Sequence, residues 1–363
     1  MGRHTRARID LSALRHNYAL AQRQSGNAKA MAVVKADGYG HGLEPVARAL
    51  SDQAERFAVA CLEEAERLRE AGIRQPIVLL QGFHDDADVT ACAELELEPV
   101  IHSDHQVAAL ESAGQAVTVW LKVNTGMNRL GFAPAAVEAV VQRLRAIAGV
   151  TLKGMVTHYA CADDRDDPMT DYQNGIFSEL SSRFPDLEFS AANSAGHFRV
   201  DSPRFHWTRP GIMLYGASPM IVESAAELGL RAVMSLESRI TAVRTLQPGE
   251  SVGYGATWRA ERPTPMGIVS IGYGDGYPRH APTGTPVWVA GARACTLGRV
   301  SMDMLAVDLT AAPHARPGDS VELWGAHVPV DEVARCADTI GYELLTGVTA
   351  RVPRVYDGDI SGQ

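Results

Sequence analysis

The sequence is short of cysteines, of long apolar runs and of basic segments. Its 363 residues include only five cysteines, an odd number, and these are scattered without any CxxC spacing. This pattern favours reduced thiols and a cytoplasmic location over a disulfide framework or a zinc site. No stretch is apolar for long enough to cross a bilayer, and no apolar segment follows the basic residues near the start of the chain. We therefore expect neither a membrane span nor a secretory signal.

The charge of the chain limits the classes of partner. The formal net charge is −9, and no run of Lys and Arg is long enough to form a basic arm. Nucleic acid and anionic membranes repel such a chain, so we expect neither as a partner. An acidic run at residues 163–167 lacks the spacing of metal ligands, and we interpret it as a solvated loop without a metal.

Short apolar runs alternate with amphipathic segments along the first 225 residues. The runs lie at 31–34, 57–60, 76–80, 99–102, 117–123, 152–157, 187–191 and 207–214. Regular βα alternation predicts parallel strands with right-handed crossovers, and eight units favour a closed (β/α)8 TIM-like barrel. An open doubly wound sheet stays as the alternative, because Pro210 interrupts the last run.

The pattern changes near residue 226. Helical spacing becomes rare, and β-rich runs separated by turn residues follow at 234–245, 267–273, 286–290, 304–309 and 320–324. The sequence therefore predicts an α/β protein with two domains, a (β/α)8 barrel in residues 1–225 and a mostly β C-terminal domain in residues 226–363.

The first apolar run ends in a lysine. Lys35 stands directly before a loop that contains Gly38, Gly40 and Gly42. Active sites of α/β folds lie at the carboxyl ends of parallel strands. Burial lowers the pKa of a lysine, and its neutral amine is a nucleophile towards carbonyl groups. A strand-end lysine that reaches into solvent is the simpler interpretation of this residue on its own.

The segment VVKADGYGHG at residues 33–42 resembles the cofactor-attachment segment of bacterial alanine racemases, which use pyridoxal 5′-phosphate (PLP). Further segments that resemble this family are LKVNTGMNRLG at 121–131, THYA at 157–160, ANSAG at 192–196, TRPGI at 208–212, GYGAT at 253–257, IGYGDG at 271–276, GRVSMD at 298–303 and ARVPR at 350–354. The resemblance implies a racemase that interconverts L-alanine and D-alanine, either to supply D-alanine for peptidoglycan or to catabolise alanine.

The resemblance also implies roles for residues at the ends of the barrel strands. Lys35 would hold the cofactor and act as the base on one face of the substrate. The other contacts that it implies are Tyr39, Ser194, Gly211 and Ile212 with the phosphate, His158 with the ring face, and Arg129 with the phenolic oxygen and the substrate carboxylate. Lys122 would support Arg129, and the matching lysine is often carbamylated in the family.

Arg209 would face the pyridine nitrogen of the cofactor. A guanidinium does not readily give up a proton, so this nitrogen should stay unprotonated. The ring is then a weaker electron sink, and side reactions such as transamination should be fewer. A PLP decarboxylase on a related barrel, the nearest enzymatic alternative, should have an acidic residue at this position.

Three residues of the second domain have implied roles in a homodimer with shared active sites. Tyr254 from the partner subunit would be the second base, Tyr273 would line the substrate entrance, and Met302 would give a backbone donor to the substrate carboxylate. One position departs from the family pattern. Some members have a phosphate-binding tyrosine where this chain has Ala350, so we expect one phosphate contact to be absent or replaced.

Three further functions stay open at this point. A racemase of broader amino-acid specificity would share these residues. A non-catalytic PLP carrier would resemble a bare barrel and would leave Tyr254 without a purpose. A lysine aldolase that works without PLP would place its lysine deeper in the barrel. The spectrum of the cofactor separates the aldolase from the others, and the chirality of the product separates the decarboxylase from the carrier.

Overall fold

In the computed structural model, which describes residues 4–199 and 202–358, eight parallel strands surround a barrel axis. In chain order they are Lys29–Ala30 with Ala32–Val33, Phe57–Val59, Ile77–Leu79, Leu97–Ile101, Val117–Lys122, Val150–Val156, Glu188–Ser190 and Trp207–Thr208. The first strand has two segments, of which one pairs with the eighth strand and the other with the second. These pairings close the ring. They confirm the predicted (β/α)8 barrel and exclude the open sheet.

The barrel strands are apolar because both of their faces are covered. Every residue of Phe57–Val59 and of Ile77–Leu79 is buried, as expected for strands between a filled interior and an outer layer of helices. The helices of this part are Leu11–Ser25, Leu43–Leu50, Leu62–Glu70, Asp86–Glu94, Asp104–Ala113, Val137–Ala146 and Met169–Arg183. They pack their apolar faces on the strands and leave the strand ends free to carry polar side chains.

The eighth strand is shorter than predicted. It ends at Thr208, and the chain turns into a 3-10 helix at Ile212–Tyr215, so the prediction of a strand over 207–214 is wrong beyond Thr208. Pro210 explains the early end, because it has no N–H to offer to a neighbouring strand. Past Thr208 the backbone still bonds its neighbours, since the N–H of Arg209 donates to the carbonyl of Ala192 at 2.8 Å and the carbonyl of Pro210 accepts the N–H of Val33 at 3.1 Å.

The second sheet confirms the mostly β prediction for the C-terminal part. Its eight strands, in spatial order, are Thr264–Val269, Leu305–Asp308, Ala292–Leu297, Pro286–Val289, Ser320–Trp324, Met234–Leu246, Arg6–Asp10 and Arg354–Asp357. A small hairpin of Ser251–Val252 and Trp258–Arg259 and two helices, Val330–Cys336 and Gly341–Thr346, complete this part. The strand Arg6–Asp10 precedes the barrel in the chain but pairs in this sheet. The domain boundary at residues 225 and 226 stays a prediction.

The helix Gly341–Thr346 of the second domain packs on the loop that follows Lys35. A Cβ at Gly40 would collide with the carbonyl of Leu345, and Gly40 has a φ of 81°, so only glycine suits this position. Arg354 donates to the carbonyl of Gly40 at 3.0 Å. These contacts fix the mouth of the barrel against the second domain. Over the described ranges, no helix combines the length and the apolarity that a membrane crossing needs.

Candidate active site

A cavity of about 700 Å³ opens at the carboxyl ends of the barrel strands. It collects every barrel residue for which the sequence predicted a cofactor contact or its support: Lys35, Tyr39, Lys122, Arg129, His158, Ser194, Arg209, Gly211 and Ile212. These residues are far apart in the chain and meet because parallel strands present their carboxyl ends at one edge. Their individual roles stay predictions.

Lys35 is half-buried at the start of an unusual turn. Ala36, Asp37, Gly38 and Tyr39 have φ values of 52°, 53°, 60° and 52°, so the backbone winds with a left-handed sense for one turn. This conformation costs roughly 1–2 kcal/mol for each residue that carries a Cβ. Burial, and then the charge of Arg129, lower the pKa of Lys35, which favours its neutral amine.

Tyr39, Ser194 and Gly211 form a small polar cradle in the cavity wall. Ser194 Oγ accepts hydrogen bonds from the backbone N–H groups of Gly211 at 2.8 Å and of Met213 at 3.3 Å. A Cβ at Gly211 would lie 2.5 Å from the Tyr39 hydroxyl, so a side chain there would fill the cradle. The hydroxyl groups of Ser194 and Tyr39 are donors of a kind that suits a phosphate.

Tyr39 is held by the rings around it. It stacks on Tyr215 with a centroid distance of 4.6 Å, and Tyr342 lies on another side at 6.2 Å. Burial raises the pKa of Tyr39, so its hydroxyl stays protonated and can donate. Tyr215 is in turn fixed by a hydrogen bond from its hydroxyl to the carbonyl of Val33, at 3.0 Å.

Arg209 is buried to 95 %, and both terminal nitrogens of its guanidinium bond to residues in or next to neighbouring strands. It donates to Ser190 Oγ at 2.5 Å, to the carbonyl of Ala191 at 3.1 Å and to the carbonyl of Thr157. Burial lowers the pKa of Arg209 to about 10, so the group stays charged at neutral pH. The arginine is therefore a rigid cation in the cavity wall.

His158 lies beside this arginine, with its Nδ1 3.4 Å from a guanidinium nitrogen. Burial and the charges of Arg209, Lys122, Arg129 and Lys35 lower its pKa well below the usual value, so the ring is neutral. Its backbone carbonyl accepts from Gln173 at 2.8 Å. The sequence analysis missed Gln173, because nothing in the sequence indicates that a helical glutamine bonds the end of a barrel strand.

Lys122 and Arg129 add positive charge to the same cavity. Burial, with the charges of Arg209 and Arg129, lowers the pKa of Lys122 to about 7. Four basic side chains thus line the cavity, and Glu343 is the acidic residue among its described lining. This charge distribution favours a ligand with more than one anionic group. The described residues contain no group of three or more His, Cys, Asp or Glu that could hold a metal ion.

The predicted residues of the second domain do not join this cavity. Tyr254 is 67 % exposed, Met302 is 53 % exposed and Tyr273 is 37 % exposed. The structure therefore brings together the barrel residues of a single chain and leaves these three on its surface.

Tyr342 was missed by the sequence analysis, although it lines the cavity beside Tyr39. Ala350, where we expected a missing contact, is exposed and is not among the described residues that line the cavity. Tyr342 is thus the tyrosine of the second domain that lines the cavity among the described residues. An aromatic residue within a short helix near the end of the chain was the only signal that could have indicated it.

The chain is similar to known proteins along nearly its whole length. The family models described as "Alanine racemase, N-terminal domain" and "Alanine racemase, C-terminal domain" match residues 9–219 and 233–356. An alanine racemase of Marinobacter nauticus is 57 % identical over 358 residues, which are 98 % of this chain and 100 % of that protein. A biosynthetic alanine racemase of Pseudomonas aeruginosa is 52 % identical over 96 % of this chain and 98 % of its own length.

Two solved structures show the same fold along the chain. The crystal structure of the biosynthetic alanine racemase of Pseudomonas aeruginosa has a TM-score of 0.94 at 51 % identity and covers 98 % of this chain and 100 % of its own. The alanine racemase of Acinetobacter baumannii has a TM-score of 0.93 at 37 % identity, with the same coverage. On the strength of both family matches and of these identities, the chain belongs to the alanine racemase family.

Proposed function

We propose that this protein interconverts L-alanine and D-alanine with PLP as its cofactor. The observation that carries the proposal is a single cavity at the barrel mouth that combines a lysine of lowered pKa, a polar cradle and a buried arginine. Family membership supports the same reaction.

The donor set fits PLP group by group. Tyr39, Ser194 and the backbone at Gly211 and Ile212 would hold the phosphate, and His158 would face the ring. Arg129 is placed to meet an anionic oxygen, as a planar guanidinium does well. When bound, PLP draws electrons from the α-carbon of an amino acid and so makes its proton labile. The side chains of the cavity would bind and orient the cofactor and the substrate and would transfer the protons.

Arg209 would act as a fixed cation opposite the pyridine nitrogen. Its pKa of about 10 keeps it protonated at neutral pH, and its hydrogen bonds to strand ends leave it no freedom to move away. A guanidinium has only N–H donors and does not readily give up a proton, so it would not protonate the ring nitrogen as a carboxylic acid can. An arginine opposite the pyridine nitrogen would therefore favour return of the proton to the α-carbon over transamination.

Racemisation needs one proton-transferring group on each face of the α-carbon. We assign Nζ of Lys35 to one face, since its lowered pKa favours a neutral amine that can take a proton. We assign the hydroxyl of Tyr254 to the other face. Each group would remove a proton in one direction of the reaction and return it in the other.

Tyr254 would reach this position from the partner subunit of a homodimer. In its own chain it is exposed and absent from the described cavity lining, and Tyr273 and Met302 share that placement. A head-to-tail dimer would bury these exposed side chains and complete both sites, with Tyr273 at the entrance and Met302 near the substrate carboxylate.

Lys122 would support Arg129 after reaction with CO2. Its pKa of about 7 leaves a large neutral fraction, and a neutral amine adds to CO2 to form a carbamate and release one proton. The carbamate would carry a negative charge among Arg129 and Arg209 and would offset their mutual repulsion. The cytoplasmic location and the supply of D-alanine to peptidoglycan or the breakdown of alanine stay predictions.

Chiral analysis of L-alanine incubated with the purified protein and PLP tests the proposal. We expect D-alanine to approach an equal mixture, with no conversion by Lys35→Ala and normal conversion by Lys29→Ala, an exposed lysine outside the cavity. Conversion of serine, lysine or arginine at a higher rate would indicate a racemase of broader specificity. Absence of any conversion by a protein that binds PLP would overturn the proposal in favour of a PLP carrier.

A further inference from the structure

The turn that follows Lys35 has a backbone conformation that its residues do not favour. Ala36, Asp37 and Tyr39 all have a positive φ, and each of them has a Cβ. Consecutive residues of this kind persist only where the surroundings hold them in place. Lys35 leads directly into this turn, so whatever holds the turn also sets where the lysine points.

One carboxylate outside the cavity is bonded to the start of this turn. Glu64 Oε1 accepts the backbone N–H of Ala36 at 2.6 Å, and its Oε2 accepts the backbone N–H of Ala60 at 2.8 Å. Ala36 follows Lys35 in the chain, and Ala60 follows the second barrel strand, Phe57–Val59. The two oxygens of a single side chain thus connect the ends of two neighbouring barrel strands.

The helix that carries Glu64 makes a second attachment one turn later. Arg67 donates to Asp37 Oδ1 at 2.8 Å, and the same oxygen accepts the backbone N–H of Leu43 at 3.1 Å. Glu64 and Arg67 both lie on the helix Leu62–Glu70. This helix therefore contacts the turn at its first and second residues, although neither Glu64 nor Arg67 is among the described residues that line the cavity.

The charge of Glu64 acts on Lys35 as well. Burial and Arg129 lower the pKa of Lys35, whereas Glu64 raises it. His158 also faces this lysine and is neutral. Glu64 therefore opposes the effect of Arg129 on the pKa of Lys35.

We propose that Glu64 is a positioning residue for Lys35: by bonding the backbone at Ala36 and Ala60 together, its carboxylate holds the left-handed turn and aims the lysine side chain into the cavity. The inference rests on the proposed function in so far as Lys35 is the lysine that binds the cofactor and moves the proton. It assigns no contact between Glu64 and the substrate or the cofactor.

The first test is hydrogen exchange in the cofactor-free protein. Glu64→Gln keeps the size of the side chain but can accept only one of the two N–H groups. We expect peptides that contain Ala36 and Ala60 to exchange about tenfold faster, with exchange elsewhere unchanged. Glu63→Gln, which changes the exposed neighbouring residue, is the matched control and should behave as the wild type.

The second test follows the amine itself. The rate at which acetic anhydride acylates Lys35 in the cofactor-free protein is measured against pH by peptide mass spectrometry. Loss of the negative charge in Glu64→Gln should move the midpoint of this profile to lower pH. Glu64→Asp keeps the charge but is one methylene shorter, so it should leave the midpoint near that of the wild type while still exchanging faster at Ala36 and Ala60.

These readouts separate the inference from the proposed function. Faster exchange at both sites together with the shifted midpoint supports the positioning role whether or not the wild type racemises alanine. Unchanged exchange at Ala36 and Ala60 in Glu64→Gln would overturn it, as would a midpoint that shifts equally in Glu63→Gln. Failure of the wild type to racemise alanine would instead overturn the proposed function alone.

Discussion

A guanidinium nitrogen of Arg209 lies 3.4 Å from Nδ1 of His158. Because a guanidinium carries only donors, the ring nitrogen that faces it has to be an acceptor, and the imidazole has to be neutral. The lowered pKa of His158 agrees with this assignment. The pair therefore presents one cation and one uncharged ring to the cavity at neutral pH.

Reversing the charge at Arg209 should change the outcome of the reaction as well as its rate. In Arg209→Glu we expect the racemisation rate to fall by about 100-fold or more, because a preorganised charge is lost, and the keto acid formed per racemisation event to rise. Chiral chromatography measures the first quantity and a coupled pyruvate assay the second. Arg209→Lys keeps the positive charge and should lose rate without gaining keto acid. Equal keto-acid ratios in the two variants would contradict the assigned role.

A side chain that fills the cradle of Tyr39, Ser194 and Gly211 should weaken the binding of the cofactor. In Gly211→Ala the new Cβ would lie 2.5 Å from the Tyr39 hydroxyl, and Tyr39 cannot easily move away because Tyr215 and Tyr342 pack against it. We expect the PLP dissociation constant, measured by absorbance titration, to rise by about tenfold or more.

The matched control for this variant is another glycine. Gly175 lies in the helix Met169–Arg183, and nothing lies within 4 Å of a Cβ built there. Gly175→Ala should leave PLP binding unchanged and raise the free energy of unfolding by about 0.5–1 kcal/mol. A cofactor affinity that is equal in the two variants would show that the cradle does not receive the phosphate.

Carbamylation of Lys122 should depend on pH through its amine. Only the neutral form adds to CO2, and its pKa of about 7 means that this form dominates above pH 7 and is scarce below pH 6. With ¹³C-labelled bicarbonate we expect one carbamate signal in the NMR spectrum that grows between these values and is absent from Lys122→Met. A signal that survives in Lys122→Met would place the modification elsewhere.

Mixing two inactive variants should restore activity if the sites are shared. Lys35→Ala removes the lysine of one site and Tyr254→Phe removes the hydroxyl of the other, so a hybrid dimer would contain one intact site. Since half of the mixed chains form hybrids at random and each hybrid has one intact site of two, we expect up to about a quarter of the wild-type activity. Hybrids shown to form by mass spectrometry but without activity would contradict the shared site.

Two buried histidines should make the fold sensitive to acid. Burial lowers the pKa of His197 and of His41 to about 4, from an ordinary value of 6.5. Between pH 6.5 and 4 the unfolded chain binds protons that the folded chain does not, so their contribution to stability is complete above pH 6.5 and falls as the pH falls. Each contributes a slope of up to about 1.4 kcal/mol per pH unit. Urea unfolding at pH 7, 6 and 5 measures the slope, and it should be smaller in His197→Gln; an identical slope would contradict the buried neutral state.

Much of the barrel could be predicted because its pattern is local. Runs such as 57–60 and 76–80 differ by at most one residue at either end from the strands Phe57–Val59 and Ile77–Leu79, since an apolar run between turn residues signals a buried strand without knowledge of its neighbours. The helix Asp86–Glu94 and the strand Ala292–Leu297 were missed. Their polar and small residues form these elements through packing on neighbours, which a sequence window does not contain.

The sequence by itself determined the strand-helix alternation and the position of Lys35 and Arg209 at strand ends, because both follow from periodicities and motifs within a few residues. Only the tertiary structure decided the charge states of Lys35, Lys122 and His158, the contact of Tyr342 with Tyr39 and the bonds from Glu64 to the turn after Lys35. These depend on burial and on distances between residues that the chain separates widely. Folding brings such groups within a few ångströms of one another, and the physical properties of the site arise at that range.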